Sequence, residues 1–323
     1  MDSSRLDPEI KIGYQEDESY NIEADAHAKW TLTGFWRTMG AIYERGLGQR
    51  AAACPHRIWE ERPMADRSSL EAAKVEAAIG NRILAEVGLA AGVRASLGHV
   101  SMRVPGDPNL FVVKGRGYRM DVLSRMRPED MVVCDLEGNW VDGPPYSLQC
   151  SEVKIHSCIY KNRSDVVSVV HVHPDYVVLM SVLQNGLKPM AQEGARLVTK
   201  PLPVYPRTKI ITSEEEGQEV AHLLGNGDAC LLLGHGAVTA SSAGVEGAVL
   251  AMVHLEHQAR LNYMAMCAAG PNHPSIPLHL AEETALARPE AEPHIKARLA
   301  HVPGGRPHGG IWTYFREVVT ADM

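Results

Sequence analysis

Short runs rich in β-branched residues alternate with longer stretches of helical periodicity between residues 67 and 268, and this alternation limits the fold more than any other feature. The runs GHVSMRV, NLFVVKG and DMVVCDLEGNWV predict strands, with LEGNW as a hairpin turn. Apolar spacing predicts helices over residues 67–91, 151–162, 213–224 and 244–268. Strands and helices in this alternation indicate an α/β (α+β) domain, in which helices cover a central sheet.

The chain of 323 residues is long enough for one catalytic domain with an extension at each end. Residues 1–65 mix acidic segments with the aromatic stretch WTLTGFWRTMGAIYERG, and we expect an N-terminal extension there. The catalytic domain is expected over residues 66–270. Residues 271–323 include a stretch rich in Pro, His, Gly and Ala, and we expect a C-terminal extension that packs on the core or on a neighbouring subunit.

Composition excludes several classes of partner. A formal net charge of -7 provides no general attraction to nucleic acid or to anionic lipid. The sequence has no apolar run long enough to span a bilayer, and its polar, acidic N-terminus is unlike a signal peptide, so we expect a cytoplasmic protein. The six cysteines form no CxxC pair and are expected to be buried, reduced thiols.

The motif VVHVHP carries the sharpest chemical signal. His171 and His173 lie two residues apart at the end of an apolar strand, so both side chains project from the same face. Two adjacent imidazoles suit a divalent metal, which needs a third protein ligand if it is to act in catalysis. The alternative is that these histidines are exposed, or satisfied within the core.

Two further residues complete a candidate centre. His235 follows an apolar strand in LLLGHGAV, and its flanking glycines permit an unusual turn, although a histidine in a tight turn is the simpler interpretation. Glu152 opens the stretch SEVKIHSCIY, where the helix dipole and a nearby dication would favour its ionised form. Glu152 by itself could be an ordinary first-turn glutamate. His156 lies one helical turn further on and fits either a supporting role or the core.

The motifs GHVSMRV, LEGNW, SEVKIH, SDVVSVVHVHP and LLLGHGAV, in this order before a long helix, resemble the class II aldolase/adducin family over residues 70–268. The resemblance implies a three-layer α/β/α fold with a central, mostly antiparallel sheet. It also implies that His171, His173 and His235 bind a divalent metal ion and that Glu152 is the catalytic carboxylate. The sequence does not distinguish Zn, Mn, Fe and Co.

The chain departs from the family's sugar-phosphate aldolases where those enzymes bind phosphate. Their Gly-Asn-Val-Ser, Thr-Pro-Ser-Gly and Ser-Ser-Glu segments are replaced by GHVS, VKGRG and CSE in this sequence. Cations at Lys114 and at Arg116 or Arg119, with a donor at His99, fit the carboxylates of a planar acid, unless they are solvated surface groups. Ser101 and Ser151 are the remaining candidate substrate contacts. These departures and the long extensions resemble the aromatic-acid decarboxylase branch of the family.

Our first functional hypothesis is a metal-dependent, non-oxidative decarboxylation of a dihydroxylated aromatic dicarboxylate, of the 4,5-dihydroxyphthalate to protocatechuate type. Either Glu152 or His99 would supply the proton to the ring carbon. An aldolase or epimerase acting on a hydroxy-keto acid or a sugar phosphate is the second hypothesis, and a non-catalytic, adducin-like binding module is the third. The resemblance also implies a homo-oligomer, tetramer or larger, in which His308 or Tyr314 could reach a neighbour's pocket.

Overall fold

The computed structural model describes residues 64–117, 121–286 and 310–323. The predictions for the N-terminal extension, for Arg119 and for His308 therefore lie outside the described residues, although the first helix already begins at Met64. The helices of the described part of the chain are α1 (Met64–Glu86), α2 (Val153–Asn162), α3 (Asp175–Leu183), α4 (Glu214–Leu224), α5 (Val245–Ala269), α6 (Leu278–Leu286) and α7 (Gly310–Thr320).

A single mixed sheet forms the centre of the fold. Its strands are β1 (Gly98–Val104), β2 (Asp107–Arg116), β3 (Met131–Asp135), β4 (Trp140–Asp142), β5 (Leu148–Gln149), β6 (Ser168–Val172), β7 (Val204–Tyr205), β8 (Ala229–Leu232) and β9 (Gly236–Ser241). Their spatial order is β4-β3-β2-β1-β6-β9-β8-β7, and β5 pairs with β2. Every pair is antiparallel except β7 with β8, which confirms the predicted, mostly antiparallel sheet.

Helices cover both faces of the sheet, so the predicted α/β/α layering is confirmed. Apolar side chains of α1, α3, α5 and α7 pack with Val100 and Val170 on one face. Those of α2 and α4 pack with Phe111 and Val169 on the other. Adjacent residues of β6 thus enter different cores, because side chains alternate across a strand. This explains why valines occupy both faces of β6 instead of alternating with exposed polar residues.

The first helix differs from its prediction at both ends. It begins at Met64 rather than at residue 67, and it ends at Glu86 rather than near residue 91. The early end has a local cause at Gly88, which adopts the left-handed conformation with φ +82°. The amide of Leu89 then donates to the carbonyl of Leu84, as at many helix C-termini that close on a glycine.

The end of the predicted C-terminal extension packs against α1 of the same chain. The Trp312 side chain is fully buried, and the Arg82 Nε donates to the carbonyl of Val319 at 2.7 Å. Arg316 forms an ion pair with Glu76 at 2.6 Å. Helix α7 is therefore part of the same core as α1.

Two expectations drawn from composition can be compared with the described residues. No helix among them is both long and apolar enough to cross a bilayer. The described cysteines are unpaired thiols, buried except for Cys267, which is exposed at the end of α5. Cys54 lies outside the described residues.

Helices α2 and α4 approach each other most closely at Gly217. A Cβ atom at this position would lie 2.6 Å from the Cys158 Sγ and 2.6 Å from the backbone oxygen of Lys154. We expect Gly217→Ala to lower the free energy of unfolding by about 1–2 kcal/mol, since overpacking against a backbone atom costs more than the roughly 1 kcal/mol gained in helix propensity. Urea denaturation measures this change.

The matched control is Gly186→Ala, because no atom lies within 4 Å of a Cβ built at that glycine. The urea concentration at the midpoint of unfolding should equal that of the wild type within experimental error. A Gly217→Ala midpoint equal to or above that of the wild type would show that the two helices do not depend on this close approach.

Candidate metal centre and active site

The C-terminal end of β6 brings two imidazoles together. His171 is fully buried between His99 of β1 and Val238 of β9, which are its cross-strand neighbours. Its Nδ1 donates to the carbonyl of Ala237 at 3.0 Å, and its Nε2 faces the other side chains of the cluster. That Nε2 lies 3.0 Å from the Nε2 of His173. Two ring nitrogens thus converge on one point, as the HxH spacing predicts.

His235 reaches the same point from the turn between β8 and β9. Gly234, before it, has a left-handed φ of +61°. Gly236, after it, lies so close to β6 that a Cβ atom would collide with the carbonyl oxygen of Val172 and lie 3.1 Å from the His173 ring. The ring centroid of His235 is 4.5 Å from that of His173 and 4.9 Å from that of His171. The glycines on both sides are therefore required for the three imidazoles to meet.

Glu152 completes the cluster from the segment that leads into α2. One carboxylate oxygen lies 3.3 Å from the His171 Nε2, and the other lies 3.5 Å from the His235 Nε2. The backbone N–H of Ile211 donates to the same carboxylate at 3.0 Å and fixes its orientation. Glu152 immediately precedes the first residue of α2, so the prediction that it opens this helix holds to within one residue.

The electrostatics of the cluster favour metal binding. Burial raises the pKa of the Glu152 carboxyl, but the imidazoles of His171 and His235 lower it more, so the net pKa lies well below the usual range. Burial and the neighbouring His171 lower the pKa of His173 to about 3. Neutral imidazoles and an ionised carboxylate are the forms that bind a cation.

The donor set fits a divalent ion. The four donor atoms of Glu152, His171, His173 and His235 all lie within 4.8 Å of one another. Ligand atoms ~2.1 Å from a zinc ion in a tetrahedral site lie roughly 3.4 Å apart, close to the observed spacings. The buried Nδ1 of His235 has no hydrogen-bond partner among the described residues. The hydrogen bond from His171 to a carbonyl is the support that metal-binding imidazoles usually have.

A cavity of about 230 Å³ opens beside this cluster. Its walls include His99, Ser151, Glu152, His173 and His235, all of which were predicted as site residues. Further lining residues are Ser96, Leu97, Gly98, Lys114, Arg116, Asp121, Cys150 and Ile210.

Lys114 is a buried cation in the wall of this cavity. It is only 3% exposed, its Nζ donates to the carbonyl of Ser96 at 2.8 Å, and burial lowers its pKa. Arg116 lines the same cavity from the exposed end of β2, whereas Arg119 lies outside the described residues. The structure thus brings both Lys114 and Arg116 beside the histidine cluster, which neither residue's local sequence could show.

Ser101 is placed differently from its prediction as a substrate contact. It is fully buried and absent from the cavity wall, and its hydroxyl contacts His156 and Tyr160 instead. Ser101 lies on the same face of β1 as His99 but two residues further along the strand, where α2 covers it. The sequence alone left two roles open for His156 and gave none to Tyr160, although Glu152, His156 and Tyr160 recur every four residues, as on one helix face.

The fold and this site define a class of proteins, namely those in which a three-layer α/β/α domain carries three histidines and a glutamate at the ends of central strands. Residues 77–263 match the family described as Class II Aldolase and Adducin N-terminal domain. The chain belongs to this family.

Known relatives include two kinds of enzyme. A 3,4-dihydroxyphthalate decarboxylase of Arthrobacter keyseri is 32% identical over 202 residues, which cover 60% of this chain and 78% of the relative. An L-fuculose phosphate aldolase of Methanococcus maripaludis is 31% identical over 174 residues, which cover 53% of this chain and 87% of the relative. Among solved structures, an aldolase II superfamily protein from Pseudomonas syringae matches with a TM-score of 0.62 at 21% identity. The match covers 77% of this chain and 94% of the other protein. This last similarity concerns the fold.

The convergence of donor atoms leads to a test of metal binding. We expect purified wild-type protein to retain about one divalent ion per chain, because three histidine ligands are the usual protein contribution to a catalytic metal site. His173→Ala should lose most of that ion, because it removes one of only three imidazoles, and elemental analysis after dialysis measures the loss.

His222→Ala is the matched control. His222 lies on α4, away from the histidine cluster, and its Nδ1 donates to the carbonyl of Gln218. Its substitution should leave the metal content unchanged. Equal metal content in both variants and in the wild type would place the ion elsewhere.

Proposed function

We propose that the chain is a metal-dependent decarboxylase of a dihydroxylated aromatic dicarboxylate. The observation that carries this proposal is the buried cation Lys114 in the wall of the cavity that also contains the histidine cluster. Asp121 lines the same cavity and attracts the Lys114 ammonium group, and a substrate carboxylate would give this buried cation a further anionic partner. Arg116 lines the same cavity and offers a second, bidentate partner for a carboxylate.

The relatives support a choice of substrate. The relative from Arthrobacter keyseri is named for 3,4-dihydroxyphthalate, whereas the sequence motifs led us to 4,5-dihydroxyphthalate. Both compounds yield 3,4-dihydroxybenzoate on losing one carboxylate. We take 3,4-dihydroxyphthalate as the first substrate to test, because its departing carboxylate is adjacent to a phenolic oxygen. Protonation of the ring carbon then leaves a β-keto acid arrangement, which loses CO2 readily.

His171, His173 and His235 would hold the divalent ion. When bound, that ion supplies Lewis acidity that withdraws electron density from substrate oxygens. Lys114 and Arg116 would bind the retained carboxylate and orient the ring. His99, which lines the cavity, would hydrogen-bond an oxygen of the substrate.

Glu152 is suited to move the proton. Because its pKa lies well below the usual range, the resting group is a carboxylate and cannot be the initial acid. It can remove the proton of a substrate hydroxyl and return that proton to the ring carbon as the bond to CO2 breaks. The carboxylate is regenerated, and the product phenolate takes its proton from solvent. Glu152 therefore acts first as base and then as acid.

A direct assay tests the proposed reaction. Metal-loaded protein incubated with 3,4-dihydroxyphthalate should release CO2 and form 3,4-dihydroxybenzoate, with deuterium at one ring carbon when the solvent is D2O. Lys114→Met should raise KM more than it lowers kcat, because the lysine binds a carboxylate that does not react. Absence of CO2 from both dihydroxyphthalates, with cleavage of L-fuculose 1-phosphate instead, would overturn the proposal.

Substitution of the carboxylate tests the assignment of Glu152. We expect Glu152→Gln to lower kcat by about 10²- to 10⁴-fold, the usual contribution of general acid–base catalysis, while the three histidines still bind metal. Stopped-time assays with product quantification would measure this loss.

Glu71→Gln is the control, since Glu71 is an exposed residue of α1 that forms an ion pair with Lys74. A Glu152→Gln enzyme with wild-type kcat would exclude the carboxylate as the group that transfers the proton.

The second candidate function is an aldolase. The L-fuculose phosphate aldolase relative and the shared histidine cluster favour it. Against it stands the cavity wall, where Lys114 and Arg116 replace small neutral residues of the aldolase phosphate site. The predicted homo-oligomer, tetramer or larger, stays a prediction.

A further inference from the structure

We propose that His156, Ser101 and Tyr160 are positioning residues that hold His99 in one neutral tautomer, with the proton on Nε2, so that it presents a fixed hydrogen-bond donor to the cavity. These roles rest on the proposed function in one respect only, namely that this cavity is the substrate site. The proposal also separates the roles of His99 and Glu152, which the sequence left open.

Two polar stripes face each other between the sheet and α2. Glu152, His156 and Tyr160 recur every four residues along the helical segment, and His99 and Ser101 alternate along β1. Four residues of helix rise about 6 Å, and two residues of strand span about 6.6 Å. The repeats nearly match, so the side chains of the two stripes interleave.

The interleaved side chains form a continuous chain of short hydrogen bonds. The Nδ1 of His99 lies 2.6 Å from the Nε2 of His156. The Nδ1 of His156 lies 2.6 Å from the Ser101 hydroxyl, which lies 2.7 Å from the hydroxyl of Tyr160. All four side chains are buried, with no more than 5% of any residue exposed. Only His99, at one end, lines the cavity.

The Nδ1 of His99 and the Nε2 of His156 are 2.6 Å apart, so a single hydrogen lies between them, and one nitrogen donates while the other accepts. Burial lowers the pKa of His156 to about 3, so its ring carries one N–H. The two imidazoles can then be arranged in two ways. In the first, Ser101 donates to His156 and His156 to His99, whose remaining N–H is Nε2–H facing the cavity. In the second, His99 donates to His156 and His156 to Ser101, and His99 faces the cavity with a bare Nε2.

The Glu152 carboxylate selects the first arrangement. One of its oxygens lies 3.9 Å from the His99 Nε2. An N–H directed at an anion is stabilised, whereas a lone pair in the same place is repelled. Because His99 and His156 share one hydrogen, this preference also fixes the tautomer of His156.

Backbone groups close the far end of the chain within the part of the protein that the structure describes. The Tyr160 hydroxyl contacts Ser101, the carbonyl of Val167 at 3.4 Å and the backbone of Val169, and Ser101 also contacts the carbonyl of Val169. Burial raises the pKa of Tyr160 well above its usual value, so the phenol does not release a proton into the chain. His99 can therefore donate a hydrogen bond repeatedly, and proton transfer to the substrate falls to Glu152.

The tautomer can be read directly by NMR on protein labelled with ¹⁵N in the histidine rings, with the His99 signals assigned by their loss in His99→Asn. The wild type should show a protonated Nε2 and a bare Nδ1 at His99. In His156→Phe, which removes the donor to Nδ1, the His99 signals should indicate both tautomers. A wild-type His99 protonated at Nδ1 would overturn the proposal.

A double-mutant cycle tests the functional consequence. The probe is 3,4-dihydroxybenzoate, whose dissociation constant from zinc-loaded protein is measured by calorimetry. We expect His156→Phe to weaken binding about tenfold in the wild-type background, the effect of losing one well-placed hydrogen bond. In the His99→Asn background, His156→Phe should change the dissociation constant by less than about twofold, because the side-chain amide of asparagine has no tautomer to fix.

If His156→Phe changed the dissociation constant by the same factor in both backgrounds, His156 would be a structural residue and the proposal would be overturned. A second zinc ion per chain, lost in His156→Phe, would also overturn it, since His99, Cys150 and His156 could then share that ion. If His156→Phe does not fold, Ser101→Ala replaces it in the cycle and in the NMR experiment. Wild-type protein that shows the tautomer but releases no CO2 would sink the proposed function alone.

Discussion

The close approach of the turn after β8 to the end of β6 is the constraint on which the site depends. His171 and His173 occupy alternate positions of one strand, and their separation is set by the pleat. A third imidazole can join them only where another backbone comes within van der Waals distance. Gly236 permits this contact, since any side chain there would collide with Val172. The metal centre is therefore a consequence of backbone packing as much as of residue chemistry.

Burying so many polar groups in one place is expensive unless each finds a partner. The structure meets this requirement by linking the groups to one another. Glu152 receives the Ile211 amide and faces two imidazoles, and His171 donates to a backbone carbonyl. Removing any member leaves the others without partners, so single substitutions should report on the cluster as a whole rather than on one residue.

The sequence predicted the fold class and the histidines because both follow from local patterns. Strand and helix periods survive in a single sequence, and HxH at a strand end or a histidine between glycines is visible without tertiary contacts. The role of Ser101 could not be predicted, since it depends on which helix covers β1. Arg116 was only one of two candidates beside Lys114, because the path of the chain after β2 decides which side chain enters the cavity. The end of α1 was misplaced because Gly88 and Gly92 could each terminate a helix and both adopt a left-handed φ. The hydrogen bond from the Leu89 amide to the Leu84 carbonyl is what closes the helix at Gly88.

The buried stripe between β1 and α2 bears on how one fold serves different reactions. A metal centre that stabilises negative charge next to a breaking carbon–carbon bond suits both an aldolase and a decarboxylase. What must differ is the wall of the cavity, which recognises either a phosphate or a carboxylate. A histidine at position 99 needs its second nitrogen satisfied within the core, and His156 meets that need at 2.6 Å. Changing one residue of the wall toward a new substrate thus requires a matching polar partner behind it, and this coupling makes such a change harder to acquire by single substitutions.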